Sequence, residues 1–487
     1  MALFPIDATT ILIGFIVFAV AIWFIRRKQQ NLPPGPTPWP IFGNLIAIGK
    51  AKSPKEAFYQ YQKQYGDIFT VYFGSYPTVV LCGQKMIRDA LVSNADFFSA
   101  RPTFLSTFKN VYKGKGIIWD PHNWKANRKS SLVTLKDFGL GKHSLEERVC
   151  EEARGLCQLL ETMEGKEVDI HQYLSMAFSN VICTVVFGQR FEYDDPKFKE
   201  MMNIMDMAFS SSGTDAVIVD YIPQLMILPK FKAQFAELMK INENLEKFIK
   251  DQIEEHKNSY DEENLRDFID LYLKADPGNE TTAMSIIKEL FLAGTETSGT
   301  TLTWALLLMA KYPAIQDKCR QEIKEVIGYS RGPGNSDRGT LNYTEATLLE
   351  IQRFTTIAPI SLPHAIAEDT TFSGYSLKKD TIVIPFLDSS HHDPRVWPDH
   401  DQFKPERWLD ESGKPDSRNS AFMPFSVGRR SCLGEQLART ELFVIFVSLL
   451  QQFEFAPPPG KAVSLEGHLG ISFAPSEPML VYHRKDV

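Results

Sequence analysis

Apolar positions follow different patterns in different parts of this chain. Ala8 to Ile25 carries no charge and is dominated by Ile, Leu, Phe, Val and Ala, with Asp7 before it and Arg26-Arg27-Lys28 after it. As a helix this stretch reaches roughly 27 Å, close to the hydrocarbon core of a thin bilayer. The basic flank predicts that the rest of the chain faces the cytosol. It also lies on the wrong side for a cleaved leader. Residues 1–28 therefore read as an uncleaved single-pass anchor, and the sequons at Asn279 and Asn342 are expected to stay bare. A hinge over 29–45 follows, stiffened by the prolines from Pro33 to Pro40.

Ser53-Pro54-Lys55-Glu56 is a capping box with proline at the first helical position, and Gly66 closes the predicted helix. Residues 68–73 and 78–82, with Gly74-Ser75 between them, read as a β-hairpin. From about 143 to 320 apolar residues recur at i, i+3 and i+4, which predicts helices. Strand signals return at 371–385, a helix is expected over 433–452, and short strands close the chain. Tyr329 to Thr340 is the one loop-like candidate for a boundary. It is short, so 46–487 reads as a single, mainly α domain with a smaller β portion.

Length changes little in this picture: 487 residues suggest about three domains, as a prior only. The net charge of −7, from 53 basic and 60 acidic residues, argues against nucleic acid as a partner. It leaves room for a local basic patch. The six cysteines (Cys82, Cys150, Cys157, Cys183, Cys319 and Cys432) are too few and too scattered for a secreted disulfide framework, and they form no CxxC pair, so neither a zinc ribbon nor a dithiol motif fits.

One cysteine has an unusual setting. In Phe425-Ser-Val-Gly428-Arg429-Arg430-Ser-Cys432-Leu-Gly434-Glu435 the sulfur precedes a predicted helix, whose free N–H groups and partial positive charge favour a thiolate. Gly428 and Gly434 let the backbone approach something flat, and Arg429 and Arg430 add positive charge. A soft metal or a nucleophilic step would both use such a group. No histidine lies in the segment to act as base, which favours the metal; a buried structural cysteine is the alternative.

Phe-x-x-Gly-x-Arg-x-Cys-x-Gly resembles the haem-thiolate signature of the cytochrome P-450 superfamily, and 425–434 match every defined position. Further motifs follow in the family's order. Residues 284–312 form an apolar run ending at Pro313, with Ala293-Gly294-Thr295-Glu296-Thr297-Ser298 near its middle. Charge in so apolar a helix is costly unless used. A threonine competing for backbone carbonyls beside glycine favours a local kink. The resemblance makes Glu296 and Thr297 the catalytic acid–alcohol pair that delivers protons to dioxygen. Glu350-Ile-Gln-Arg353 places two charges on one helix face. By resemblance these join Arg407 of Phe403-Lys-Pro-Glu-Arg407-Trp408 in one buried structural cluster. Trp124-Lys-Ala-Asn-Arg128 puts two hydrogen-bond donors on one face. The family uses this pair on a haem propionate, and Arg101, His364 and Arg430 match further propionate donors. Cys432 is then the axial ligand of the iron of haem b.

The details (AGTET, EIQRF, KPERW, FSVGRRSCLGE) are most similar to the animal microsomal, family-2-like branch. That implies a cytochrome P-450 fold behind an endoplasmic reticulum anchor, and a monooxygenase hydroxylating a steroid, fatty acid or xenobiotic. The chain has no Rossmann fingerprint, so electrons from NADPH would come through NADPH–cytochrome P-450 reductase, with cytochrome b5 a further candidate. Lys125, Lys129 and Arg429 are the expected docking patch. Family analogy places Phe104, Phe108, Ala293, Ile360 and Phe473 in an apolar substrate pocket. Tyr221–Leu228 is expected at the bilayer surface. Competing readings are a haem-thiolate isomerase or peroxygenase, which usually departs from the acid–alcohol pair kept here, and a non-catalytic haem-binding sensor.

Overall fold

A computed structural model describes residues 31–137, 143–211, 214–275, 279–470 and 472–484. The anchor expected over 1–28 lies outside them. Among the described residues one helix, Ile170–Phe187, is long and apolar enough to cross a membrane, and most of it is buried as a core helix.

The residues cluster into two compact units. The first comprises the chain up to Pro102 together with Pro363–Pro385. Its longer helix is α1 (Pro54–Tyr65), where Ser53 Oγ accepts the Glu56 N–H at 3.2 Å and Gly66 ends the helix at φ 93°. The hairpin forms as β1 (Ile68–Phe73) and β2 (Tyr76–Cys82). The strands β3 (His364–Ala365), β4 (Thr370–Phe372), β5 (Tyr375–Leu377) and β6 (Ile382–Phe386) fill the region read as 371–385. The main sheet runs β1-β2-β6-β3.

The second unit holds Thr103–Leu362 and Phe386–Val487. Its longer helices are α2 (Trp124–Asp137), α3 (His143–Glu161), α4 (Ile170–Phe187), α5 (Pro196–Ser211), α6 (Pro229–Asn258), α7 (Glu280–Lys311), α8 (Pro313–Val326), α9 (Asn342–Thr355) and α10 (Glu435–Gln452). Residues 329–340 do not divide this unit; they carry a short 3₁₀ turn, Asn335–Gly339. The helices α3, α4, α7 and α10 share one apolar core, with Val149, Phe178, Leu306 and Phe446 inaccessible to solvent.

The α7 helix passes through that core without a break. A Cβ on Gly294 would stand 2.5 Å from Ile182 Cδ1, and one on Gly299 would stand 2.9 Å from Ser175 Oγ. Gly294 therefore serves close approach of α7 to α4. The back-bonding expected of the threonines is present: Thr297 Oγ1 donates to Ala293 O at 2.6 Å and Thr301 Oγ1 to Thr297 O at 2.7 Å.

Candidate haem site

Cys432 sits in the loop between the 3₁₀ turn Gly428–Arg430 and α10, its N–H donating to Phe425 O at 2.9 Å. Ser426 (φ 59°) and Gly428 (φ 79°) are both left-handed, so the loop is held in a tight, strained turn. The Cys432 side chain is exposed, yet burial is the main influence on its thiol and pushes its pKa up. The Gly434 N–H and the Arg128 charge oppose the burial. The helix-terminus reading is thus half correct. The donor exists, but the cation acting on the sulfur is Arg128, not Arg429 or Arg430, and the net direction is up. Metal coordination would deprotonate such a thiol outright.

Trp124 and Arg128 lie one turn apart on α2, as their spacing predicts. Burial lowers the Arg128 pKa, and the Arg430 guanidinium stacks 3.6 Å from the Trp124 ring centre. Arg430 also donates to the carbonyls of Ile117 (2.8 Å) and Ile118 (3.3 Å). The hollow of about 540 Å³ beside α2 is lined by Trp124, Arg128, Lys125, Lys129, Lys136 and Arg429, among others. All of its charged lining residues are basic, on a chain that is acidic overall.

Arg101 and His364 belong to the first unit. Arg101 Nη1 donates to Pro363 O at 2.8 Å, and His364 Nδ1 pairs with Phe98 O at 2.7 Å. Both side chains are buried.

On α7, Ala293 is exposed and Thr297 half-buried, one turn apart on the same i, i+4 face. Glu296 points elsewhere. Its Oε1 accepts from Ser472 Oγ (2.9 Å) and Thr300 Oγ1 (3.2 Å), and its Oε2 lies 3.7 Å from His171 Nε2. Burial opposes ionisation of Glu296, but His171, Ser472 and Thr300 hold its pKa below the ordinary value.

Glu350, Arg353 and Arg407 form one cluster. Arg353 pairs bidentately with Glu350 at 2.8 and 2.9 Å, and Arg407 Nε adds a bond at 3.1 Å. Phe473 stacks on Trp304, Ile360 bridges to Phe386, and Phe104 is partly exposed. The Phe108 side chain and Ile471 lie outside the described residues.

The sequence reading missed Lys288 and Glu289, although both are charges inside the same apolar run that singled out Glu296. The Glu289 carboxylate accepts the N–H groups of Ile117 (2.5 Å) and Ile118 (3.1 Å). Gly116, at φ 99°, must lack a Cβ there because one would stand 2.6 Å from that carboxyl. Lys288 donates to Val111 O at 2.6 Å, to Asn242 and to Glu246. Together they grip 111–118. Burial pushes the Glu289 pKa up to about 7, against the loop N–H groups. A carboxyl raised on folding stabilises most at low pH, and that contribution is lost as pH rises from the unfolded value through about 7. Glu289→Gln is therefore expected to flatten the fall in thermal midpoint between about pH 5 and 8. It should also speed hydrogen exchange at the Ile117 and Ile118 amides. An unchanged slope would show that Glu289 does not titrate there.

The cytochrome P450 family model matches residues 33–481. The chain belongs to the cytochrome P450 family. It is 41% identical to cytochrome P450 2B4 of Oryctolagus cuniculus over 443 residues, 89% of each chain. It is 38% identical to cytochrome P450 2J2 of Homo sapiens over 480 residues, 96% of this chain and 94% of the relative. It is 36% identical to cytochrome P450 2U1 of Homo sapiens over 507 residues, 97% of this chain and 92% of the relative. This P450 is an oxidoreductase, a haem-thiolate monooxygenase of lipophilic substrates, and its cofactor is haem b. The residues fit that group: Cys432 is a soft donor with an exposed side chain, and a Cβ on Gly434 would meet no protein atom within 4 Å. Trp124 and Arg128 stand nearby as hydrogen-bond donors.

Proposed function

We propose that Cys432 ligates the haem iron, and that Trp124, Arg128, Arg430, Arg101 and His364 serve the propionates. The observation that carries this is the exposed side chain of Cys432 at the head of α10, with the Arg128 charge acting on its sulfur. Bound there, haem b would supply the dioxygen chemistry, and cysteine ligation favours O–O cleavage. The chain's own residues do the rest. Arginine and tryptophan donors neutralise carboxylates that could not otherwise be buried. Thr297 holds and moves protons beside the Ala293 face, and Glu296, turned to α4, supplies them. Phe104, Phe108, Ala293, Ile360 and Phe473 exclude water and bind the substrate's apolar body, whether steroid, fatty acid or xenobiotic.

Residues 46–487 act as the catalytic domain, carried on the endoplasmic reticulum by the anchor over 1–28 and facing the cytosol. Each unit carries exposed apolar residues that support contact with a membrane. Trp39, Ile41, Phe42 and Ile46 lie in the first unit, and Ile227 (83% exposed) and Leu228 in the second. Electrons come from NADPH through the reductase, with cytochrome b5 as a second donor. The basic hollow supports this, since a redox partner with an acidic face would be steered to Lys125, Lys129 and Arg429. Lys125→Glu with Lys129→Glu should raise the apparent KM for reductase about 5–10-fold, because rim charges act mainly on encounter. The CO-difference spectrum should not change. An unaltered KM would remove the patch.

Turnover of a lipophilic panel with reductase, NADPH and ¹⁸O₂ tests the activity. Products carrying one labelled oxygen are expected. Turnover with peroxide alone would favour the peroxygenase, and an intact spectrum without turnover would favour the sensor.

A further inference from the structure

The acid on α7 has a neighbour that the sequence did not mark. His171 is the second residue of α4, and its side chain is 26% exposed against 13% for Glu296. Its two ring nitrogens have different partners. Nδ1 lies 3.0 Å from Thr303 Oγ1, and that hydroxyl already donates its hydrogen to Gly299 O at 2.8 Å. The threonine oxygen must therefore accept, which places the fixed proton of His171 on Nδ1. Nε2 is left as the nitrogen that gains and loses a proton, and it faces Glu296 Oε2 at 3.7 Å and Ser175 Oγ at 3.4 Å. The Oε1 atom of Glu296 is held by Ser472 and Thr300, so Oε2 is the oxygen turned to the histidine.

We infer that His171 is the solvent-side member of the proton relay that recharges Glu296. This rests on the reading of Glu296 as the proton donor beside Thr297. In the step, the Nε2–H bond of the imidazolium breaks and an O–H bond forms at Glu296 Oε2, directly on closure or through one bridging water. Glu296 passes that proton to the Thr297 side and returns to carboxylate. Water at the exposed ring edge then reprotonates Nε2. One proton enters from solvent, one leaves toward Thr297, and no electron moves.

The surrounding charges suit this role. Asp169 caps α4 by accepting the His171 N–H at 3.0 Å, and Asp206 on α5 and Glu296 on α7 act on the same ring. Burial pulls the imidazole pKa down, and the three carboxylates bring it above the ordinary value. The imidazolium then loses its proton as pH rises through that raised value.

The test uses the full-length, haem-loaded enzyme with reductase. His171→Gln should leave the CO-difference spectrum and the substrate-binding shift unchanged. General acid–base groups are worth roughly 10²–10⁴ in rate, and a residue one step behind is expected to be worth about 10-fold. Product per NADPH should fall by that factor, peroxide release should rise, and the alkaline limb of the pH profile should disappear. Asp206→Asn should move that limb to lower pH while keeping the histidine. A readout independent of turnover is the His171 ring titration by NMR in the diamagnetic ferrous–CO form, which should drop on Glu296→Gln. Parent-like coupling and an intact alkaline limb in His171→Gln would overturn the relay, as would a titration unmoved by Glu296→Gln. Full coupling in Glu296→Gln would instead overturn the underlying reading of Glu296.

Discussion

Cys432→Ser is expected to abolish the red-shifted Soret band of the reduced, CO-bound protein and to reduce monooxygenation to background. A serine oxygen is a hard donor with a much higher pKa than a thiol and a weak ligand for a soft site. Residues that merely support a metal ligand are worth about 10–100-fold in affinity or activity, so loss of the ligand should cost more than about 100-fold. The fold should persist. Cys432 is exposed, and a one-atom change there leaves no cavity in the packed core. Far-ultraviolet circular dichroism close to the parent, with the band gone, is the expected pair of results. A surviving band would mean that one of the other five cysteines supplies the thiolate. Their setting argues against that: Cys157 and Cys319 are buried and pushed up to about 12, and burial pushes the Cys183 thiol up as well. Cys82 is buried as well and Cys150 is half-buried, so Cys432 is the one exposed cysteine of the six.

What the sequence made legible was whatever a local rule dictates. The α1 helix is capped by Ser53 and closed by Gly66 because those side chains act within four residues. The Trp124–Arg128 and Glu350–Arg353 pairs fall together because one helical turn fixes them. The one buried cluster of Glu350, Arg353 and Arg407 spans more than 50 residues and came only through family resemblance. Long-range polar partners had no such signal. Nothing near His171 announces Glu296 on another helix, and nothing in the 113–118 loop announces Glu289. A usable clue did exist. Lys288, Glu289 and Glu296 are all charges inside one apolar helix, and the cost of burying charge applies equally to each. Direction was also out of reach. Sequence places Glu296 beside Thr297, but adjacent helical residues differ by about 100°. The carboxylate therefore turns to α4 while the threonine stays on the Ala293 face.

Glu350→Gln is expected to be strongly destabilising. Glu350 is inaccessible to solvent and accepts from Arg353, Arg407 Nε, the Trp408 indole at 2.9 Å and the Lys404 N–H at 2.9 Å. Glutamine keeps the shape but replaces one acceptor oxygen with a donor and removes the only charge pairing Arg353 there. Arg353, also inaccessible, keeps backbone partners at His391 O, His400 O and Gln402 O. Carbonyls solvate a guanidinium but do not neutralise it. Breaking a buried pair by removing one partner costs about 3–5 kcal/mol, a large share of a typical domain's stability. The expected result is a sharp fall in recovered haem-loaded protein and a shorter thermal-inactivation half-life, the appropriate measure if unfolding is irreversible. Adding Arg353→Met should restore only part of the loss, because Arg407 would still face a neutralised Glu350 position. Arg353→Lys should also fail, since one ammonium cannot replace a bidentate fork that also reaches three carbonyls. Near-parental yield and half-life in Glu350→Gln would show that the hydrogen-bond framework, and not the charge, holds this cluster.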